Sequence, residues 1–160
     1  MTTDANELPP RPQLHVVAPL RTAVFSEAAR AAFERERAED ARRLAMRPQV
    51  EHEGREALAR LFKVAQGHSG QCRYIAAFLL GLYNGNRFPF DLTDFRAIDG
   101  ALFDDCVAVM KMDARPRQEV HLYFEDGGQM FEQLAKDWNI EDRLKLREQA
   151  NQAGASGSFS

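Results

Sequence analysis

The segment Ser69–Leu92, with the sequence SGQCRYIAAFLLGLYNGNRFPFDL, is the feature that most constrains the fold of this chain. Its apolar run Ile75–Tyr83 is interrupted only by Gly81 and is too short to cross a bilayer. A helix that is apolar on all sides is typical of a protein core, and the turn Asn84–Asn86 has residues that end a helix sharply. The sequence therefore predicts a buried central helix, residues 69–83, with Ser69 as its N-cap.

Apolar residues at helical spacing on both sides of this segment predict the helices that pack against it. Their stripes are Leu58, Leu61, Phe62 and Ala65; Leu102, Cys106, Val109 and Met110; and Phe131, Leu134, Ala135 and Trp138. A further short helix is predicted for Asp91–Ile98, because Asp91 and Asp94 suit an N-cap and a first helical turn. Residues 120–124 alternate like a strand, but a single strand would have no partner, so we predict helix or extended chain there. The predicted fold class is all-α, a compact bundle of four to five helices with an N-terminal helical arm and disordered termini.

The chain outside this bundle divides into appended segments. Residues 1–20 contain four prolines and few core-type residues, which is typical of a disordered arm. Residues 21–47 carry a narrow apolar stripe and then a charged run, which predicts a solvated helical arm that Pro48 ends. The core domain then covers residues 49–140. Residues 141–160 are predicted to form a short charged helix and a disordered tail.

Composition limits the class of protein. A chain of 160 residues can bury one substantial core, and a formal net charge of −3 disfavours a wholesale binder of nucleic acid or of anionic membranes. The N-terminus has no basic flank followed by an apolar stretch, and Cys72 and Cys106 both fall within apolar helical patterns. We therefore expect free, buried thiols in a cytoplasmic protein that has no membrane partner.

Histidine and cysteine side chains are the first candidates for chemistry. His68 and Cys72 could form an activated thiolate at a helix start, but Cys72 shares the face of core residues. Together with Cys106 and His121 they supply the ligand types of a zinc site, yet their spacing matches no short ligand pattern. We therefore predict no catalytic cysteine, no metal site and no cofactor.

Carboxylates and a glycine-containing turn are the other chemical candidates. Five aspartates lie within residues 91–105, where helix capping and solvent exposure explain them better than acid–base catalysis. The turn Gly67–Gly70 stands at a helix start, where backbone N–H groups can bind an anion, with Arg73 and Arg87 as clamps. The turn lacks the spacing of a P-loop. An anion- or nucleotide-binding module, or an enzyme, at Gly67–Arg73 stays open as an alternative.

The residue pattern favours binding over catalysis, because no set of catalytic side chains converges. We expect a non-enzymatic accessory protein that binds an unidentified protein partner. The predicted interaction surface consists of side chains near the two turns that flank the central helix, namely His68, Ser69, Gln71, Asn84, Asn86 and Arg87. The arm helix could also join two copies as a homo-oligomer. The alternative is a nucleic-acid-associated regulator that uses the arginines of residues 30–47, although no helix-turn-helix is recognisable.

The block Gly54–Trp138 carries a family resemblance. Its pieces GREALARLFKVAQGHSGQCRYIAAFLLGLYNGNRFPFDLTDFRAID, LFDDCVAVMKMD and GGQMFEQLAKDW resemble an uncharacterised bacterial domain family associated with plasmids and integrative conjugative elements of proteobacteria. HSGQ and YNGNRFPFDL are the most specific of these pieces. The resemblance implies no activity and no residue roles. It implies a context, which is that of a cytoplasmic accessory protein of a mobile genetic element.

Overall fold

The structure, a computed structural model, describes residues 26–156, and every regular element in this range is helical. The elements in chain order are α1 Glu27–Ala65, α2 Gly70–Asn84, the 3₁₀ helix η1 Leu92–Ala97, α3 Gly100–Asp113, the 3₁₀ helix η2 Val120–Tyr123, α4 Gly127–Asp137 and α5 Arg143–Ser156. The predicted all-α fold is confirmed. The predicted disordered arm of residues 1–20 and the end of the predicted tail lie outside the described residues.

The chain divides into two compact units, Met1–Asp40 and Ala41–Ser160, and each is described here by itself. The described part of the first unit is the beginning of α1. The Ser26 hydroxyl accepts a hydrogen bond from the Ala29 N–H at 3.3 Å, as an N-cap does. One turn apart, the Arg37 guanidinium lies 5.9 Å from the centre of the exposed Phe33 ring. This part of α1 is therefore solvated, as its charged sequence predicts.

Pro48 lies inside α1, so the prediction that it ends the helix is wrong. Proline has no backbone N–H for the Leu44 carbonyl, and an interior proline costs a helix about 3 kcal/mol. The helix continues because the residues that follow are held by packing. One face of α1 beyond Pro48 is buried in the core, namely Gly54, Ala57, Leu58, Leu61, Phe62 and Ala65. Tertiary contacts thus outweigh the local preference of Pro48.

Helix α2 is the centre of the second unit, as predicted. It contacts α4, η1 and η2, and six of its side chains are buried, namely Cys72, Ile75, Ala76, Phe78, Leu79 and Leu80. Ser69 occupies the N-cap position of α2, but its side chain makes no capping bond. The Ser69 hydroxyl instead lies 3.0 Å from the Cys72 sulfur. The predicted position of the cap is correct, whereas its predicted hydrogen bond is not formed.

Two groups of aromatic rings fill the core on either side of α2. In the first, the Phe62 and Phe131 rings are 5.3 Å apart, and Tyr83 lies 5.1 Å from Phe131. In the second, Phe78 contacts Phe90 at 5.7 Å and Phe95 at 5.6 Å. Contacts of this kind add roughly 0.5–1.5 kcal/mol each to the stabilisation from burial. The two groups fix η1 and α4 against the central helix.

The short elements begin as their sequences predict. The Asp91 carboxylate accepts from the Thr93 N–H at 2.8 Å at the start of η1. The Asp99 carboxylate accepts from the Leu102 N–H at 2.9 Å at the start of α3. Residues 120–123 form a 3₁₀ helix, which confirms the choice of helix or linker over strand. Within residues 26–156, none of the helices combines the length and the apolar character that a membrane span requires.

Candidate functional site

The turn between α1 and α2 places the first two residues of the predicted surface, His68 and Ser69, in an exposed position. His68 lies at an open cavity of about 400 Å³, which is lined by Ala65, Gln66, Gly67, His68, Asp137 and Trp138. The Trp138 indole N–H donates to the Ala65 carbonyl at 2.7 Å, and the Arg73 guanidinium donates to the Trp138 carbonyl at 2.9 Å. The end of α4 is therefore fixed beside the turn that carries His68.

Gln71, in the first turn of α2, has a structural contact. Its side-chain oxygen accepts a hydrogen bond from the Asp99 N–H at 2.7 Å. Because Asp99 is the N-cap of α3, this bond ties the start of α2 to the start of α3. Gln71 therefore positions two helices relative to each other.

The turn after α2 is organised around its own backbone. The Asn84 side-chain oxygen accepts from the Arg87 N–H at 3.2 Å, and the Asn84 carbonyl accepts from the Phe88 N–H at 2.9 Å. Asn86 stands exposed at the tip of this turn. An asparagine that bonds to backbone a few residues ahead is typical of a tight turn. The bonds of Asn84 explain how the chain reverses to bring Phe88 into the core.

Arg87 is the centre of a network that joins three parts of the chain. Its two terminal nitrogens bond to both carboxylate oxygens of Glu132 on α4, and its Nε donates to Asp142 at 2.8 Å. Its guanidinium also lies 4.6 Å from the centre of the Phe88 ring. The Tyr83 hydroxyl donates to the same Glu132 carboxylate at 3.0 Å. Arg87 is thus a structural connection between α2, α4 and the residue just before α5.

The network shifts the protonation of its members. Hydrogen bonds to Glu132 and Asp142 raise the pKa of Arg87. The guanidinium of Arg87 holds the pKa of Glu132 below its ordinary value, against the opposing effect of burial. Burial alone would raise the pKa of Asp142, but bonds from Arg87 and from backbone N–H groups lower it. Burial, followed by the bond to Glu132, raises the pKa of Tyr83. At neutral pH, these shifts favour a charged Arg87 between two charged carboxylates, with the Tyr83 hydroxyl protonated.

The structure separates the six residues of the predicted surface into two groups. His68, Ser69 and Gln71 lie at the start of α2, whereas Asn84, Asn86 and Arg87 lie at or beyond its end. A helix of 15 residues is about 22 Å long, so the groups occupy opposite ends. The two arginines predicted as anion clamps are engaged elsewhere, since Arg73 bonds to the Trp138 carbonyl and Arg87 to two carboxylates.

Both cysteines are free and buried, as predicted. Burial, with a smaller effect of the neighbouring Asp105, raises the pKa of the Cys106 thiol to about 12. The zinc-type set His68, Cys72, Cys106 and His121, which the sequence analysis considered and did not predict, gains no support from the geometry. Within residues 26–156, no three histidine, cysteine, aspartate or glutamate side chains come together as a metal ion would require.

The state of Cys106 leads to a first prediction. In a Cys72→Ala protein, we expect Ellman's reagent to modify Cys106 at pH 7 about a hundredfold more slowly in the native state than in denaturant, because the buried thiol stays protonated and inaccessible. The absorbance of the released thiolate measures both rates. The native protein and the denatured control come from the same preparation. Equal rates would contradict the buried position of Cys106.

An exposed apolar patch, formed by Leu92, Phe95 and Phe103, is a surface that the sequence analysis missed. Leu92 is 71% exposed and Phe103 40% exposed. Leu92 and Phe95 are three residues apart in η1, so they share one face of that 3₁₀ helix. The Phe95 and Phe103 rings lie 5.4 Å apart. Since Phe95 also contacts Phe78 and Phe90, the apolar patch rests on the rigid core.

Carboxylates lie close to the residues of the apolar patch along the chain. Residues 91–105 contain five aspartates and a single arginine, Arg96. Asp105 is paired with Arg60 at 2.7 Å, and hydrogen bonds from Thr93 lower the pKa of Asp91. We refer to the four other carboxylates as the acidic rim, which consists of Asp91, Asp94, Asp99 and Asp104. The stretch of chain that carries Leu92, Phe95 and Phe103 is therefore rich in negative charge.

The arginine clusters that the sequence indicates differ in their surroundings. The segment Arg42–Arg47, RRLAMR, has three arginines and no acid, and all of its residues are exposed. Leu44 within it is 69% exposed. A second, smaller cluster consists of Arg115 and Arg117, which flank Pro116, and Arg117 pairs with Glu51 at 2.8 Å. We refer to residues 42–47 as the basic segment.

Comparison with known proteins gives one match. Residues 55–139, from the second half of α1 to the end of α4, match a family of unknown function, DUF7673. The chain belongs to the DUF7673 family. No curated protein and no solved structure matches the chain. The matched range of this DUF7673 member includes α2, the Arg87 turn and the apolar patch, and it begins after the basic segment. Membership of a domain family of unknown function is thus established.

Proposed function

We propose that this DUF7673 protein is a non-enzymatic accessory protein that acts by binding another protein, with the apolar patch as the contact. The observation that carries the proposal is the exposure of Leu92 and Phe103. The Phe103 ring contacts the Phe95 ring, and Leu92 shares a face of η1 with Phe95. Burying a leucine or phenylalanine side chain is worth about 1.5–3 kcal/mol. A partner that covers both would gain enough to make this patch the centre of an interface.

The acidic rim indicates the chemistry of the partner. The four carboxylates of the acidic rim lie in the same stretch of chain as the apolar patch, residues 91–105, and Arg96 is the only basic residue there. Complementary charge speeds association and rejects wrong partners. The partner that fits is a basic amphipathic segment, with apolar side chains for the patch and arginine or lysine for the rim.

The contacts of the polar candidates favour the apolar patch over the predicted polar surface as the site of binding. Gln71 bonds to the start of α3, Asn84 to its own turn, and Arg87 to Glu132 and Asp142. These side chains are engaged in holding the fold. Their hydrogen-bonding capacity is used within the protein, so they are less suited to contact a partner than the exposed apolar side chains.

The biological context is also part of the proposal. The resemblance of HSGQ and YNGNRFPFDL to a family of plasmids and integrative conjugative elements supports a role in a mobile genetic element, in the cytoplasm. Fractionation of cells that express the tagged chain measures the compartment. The identity of the captured partner tests the association with mobile elements. We expect this partner to be a product of the same element.

The test is a pull-down with the full chain after nuclease treatment. We expect the variant Leu92→Asp/Phe103→Asp to retain less than about one tenth of the bound partner, because a charge in the centre of an apolar contact remains unpaired. The matched control is Leu122→Asp, which places the same change at an exposed leucine of η2 outside the patch. Circular dichroism checks that both variants are folded. Equal capture by the two variants would overturn the proposal.

Nucleic-acid binding remains a second candidate, because Arg42 and Arg47 are exposed on a segment without acids. Under this alternative, a DNA duplex binds the full chain at low salt, and the affinity falls steeply as salt rises. Fluorescence anisotropy of a labelled DNA duplex across a salt series measures this affinity and its dependence on salt. Under the leading proposal, the patch variant loses its protein partner while the signal from DNA stays at background.

A further inference from the structure

We infer that the basic partner of the apolar patch is a second copy of this chain, whose basic segment docks there. The inference rests on the proposed function, because it names the occupant of the same patch. It commits to one contact, in which residues 42–47 of one copy lie on the apolar patch and acidic rim of another.

The basic segment has the composition that the patch requires. Arg42 and Met46 are one helical turn apart, so the two side chains share a face of α1. Leu44 and Met46 are both exposed, although both are large and apolar. The segment therefore offers apolar side chains and guanidinium groups within two turns of one helix.

The contact is not made within a single copy. Leu44 in the basic segment and Leu92 in the patch belong to the same unit, and each is about 70% exposed. If the segment covered the patch of its own chain, these two leucines would be buried. Both surfaces are thus open at the same time, and a second copy can bring them together.

The charges of the two surfaces are opposite in sign. The basic segment contains no acid, and Arg42 and Arg47 give it +2, with Arg43 left out because it already has an interaction within the chain. The patch carries the four aspartates of the acidic rim and Arg96, which gives −4 + 1 = −3, with Asp105 left out because it pairs with Arg60. Attraction between such surfaces is screened over about 8 Å at physiological salt. Self-association should therefore weaken as salt is added.

The segment and the patch are different surfaces, which determines the kind of assembly. Each copy carries one of each, so two copies can exchange segments around a two-fold axis and form two identical contacts. In a closed dimer of this kind, the basic segment and the apolar patch of each chain are both covered by the other chain. If the exchange does not close, the same contact produces longer chains of copies.

The test uses charge reversal on each side of the contact in the full chain. The rim variant is Asp94→Arg/Asp104→Arg, and the segment variant is Arg42→Glu/Arg47→Glu. Sedimentation velocity at about 100 µM protein, in about 50 mM and about 500 mM salt, measures the oligomeric state. We expect the unmodified chain to associate at low salt and to dissociate at high salt. Each variant alone should be monomeric in both.

Mixing the two variants provides the decisive result. The reversed rim of one variant then faces the reversed segment of the other, and the unchanged segment faces the unchanged rim. We expect the mixture to associate at least about tenfold more tightly than either variant alone. A conservative variant, Arg42→Lys/Arg47→Lys, keeps the charge and should associate as the unmodified chain does. Rescue by mixing would exclude misfolding as the cause of monomeric variants.

The outcomes separate this inference from the proposed function. A chain that stays monomeric at low salt, or variants that associate normally, would overturn the inference. If a different protein were then still lost with Leu92→Asp/Phe103→Asp, the proposed function would stand without self-association. If neither the capture of a different protein nor the self-association depended on the patch, the inference and the proposed function would both fail. An absence of rescue in the mixture would overturn the inference alone.

Discussion

Replacing Gly127 by alanine is expected to destabilise the second unit strongly. A Cβ at this position would overlap the His121 carbonyl oxygen and would lie 2.7 Å from the carbonyl carbon and 3.1 Å from the Cα of His121. All three are backbone atoms, so no rotation of a side chain can relieve the overlap. Either η2 moves away from α4, or the first turn of α4 is lost.

The size of the effect follows from what must move. Inserting a methyl group into a packed core typically costs about 1–3 kcal/mol when side chains can adjust. At Gly127 the backbone itself must shift, so we expect the free energy of unfolding to decrease by about 3 kcal/mol or more. For a unit of this size, this corresponds to a decrease in Tm of about 10 °C or more. Thermal unfolding followed by circular dichroism measures it.

The neighbouring glycine is the matched control. A Cβ at Gly128 would meet no atom within 4 Å, and alanine is a better helix former than glycine by up to about 1 kcal/mol. We expect Gly128→Ala to leave Tm unchanged or slightly raised. Similar Tm values for the two alanine variants would contradict the close approach of η2 to α4.

The parts of the fold that the sequence predicts are those that depend on local pattern. The central helix α2 is apolar on all sides, and its neighbours carry stripes at helical spacing, so their burial follows from periodicity. Asp91 and Asp99 begin helices because an aspartate before a helical turn can bond to the free N–H groups there. These features need no knowledge of distant residues.

The corrections concern features that distant residues decide. Pro48 breaks helices by local preference, but packing of the later part of α1 keeps the helix continuous. Arg87 looks like an available side chain in the sequence, yet its partners are 45 and 55 residues away along the chain. No local signal connects Arg87 with Glu132 or Asp142, so their pairing could not be predicted.

The apolar patch was missed for a similar reason. Leu102 belongs to the predicted stripe of α3, whereas the adjacent Phe103 lies off it and gives no sign of a role. Its significance depends on η1, which brings Phe95 within 5.4 Å of Phe103. The available signal was the pair of large apolar residues, Leu92 and Phe103, that fit neither a buried stripe nor a charged face. Single exposed apolar residues are common on protein surfaces, so only their grouping in the fold gives them significance.

Replacing Arg87 by methionine is expected to destabilise the protein because it leaves two carboxylates without their cation. The Arg87 side chain is 18% exposed and that of Asp142 is 10% exposed. Exposed pairs contribute about 1 kcal/mol or less, whereas breaking a buried pair costs about 3–5 kcal/mol. The Arg87 network lies between these limits, so we expect the free energy of unfolding to decrease by about 2–3 kcal/mol. Urea unfolding at pH 7 measures this decrease.

The matched control is Arg60→Met, which removes another arginine that binds a carboxylate through two bonds. Arg60 donates to Asp105 at 2.7 and 3.0 Å, but its side chain is 56% exposed. For this variant we expect the free energy of unfolding to decrease by about 1 kcal/mol or less. A loss at Arg60 equal to that at Arg87 would show that burial of the network does not determine its contribution.

The pH dependence tests the cause of the Arg87 effect. Arg87 lowers the pKa of Glu132, and the pKa of Asp142 is also below its ordinary value. A lowered pKa in the folded state stabilises the protein above the ordinary carboxyl range, which is near pH 4, and this stability is lost as pH falls through the lowered values. Burial raises the pKa of Asp113 instead, but this effect is the same in both proteins and cancels in their difference. We therefore expect the difference in unfolding free energy between the unmodified chain and Arg87→Met to be largest near pH 7 and to shrink as pH falls below about 4. A difference that stayed constant across this range would mean that the contribution of Arg87 comes from its packing on Phe88 and not from its charge.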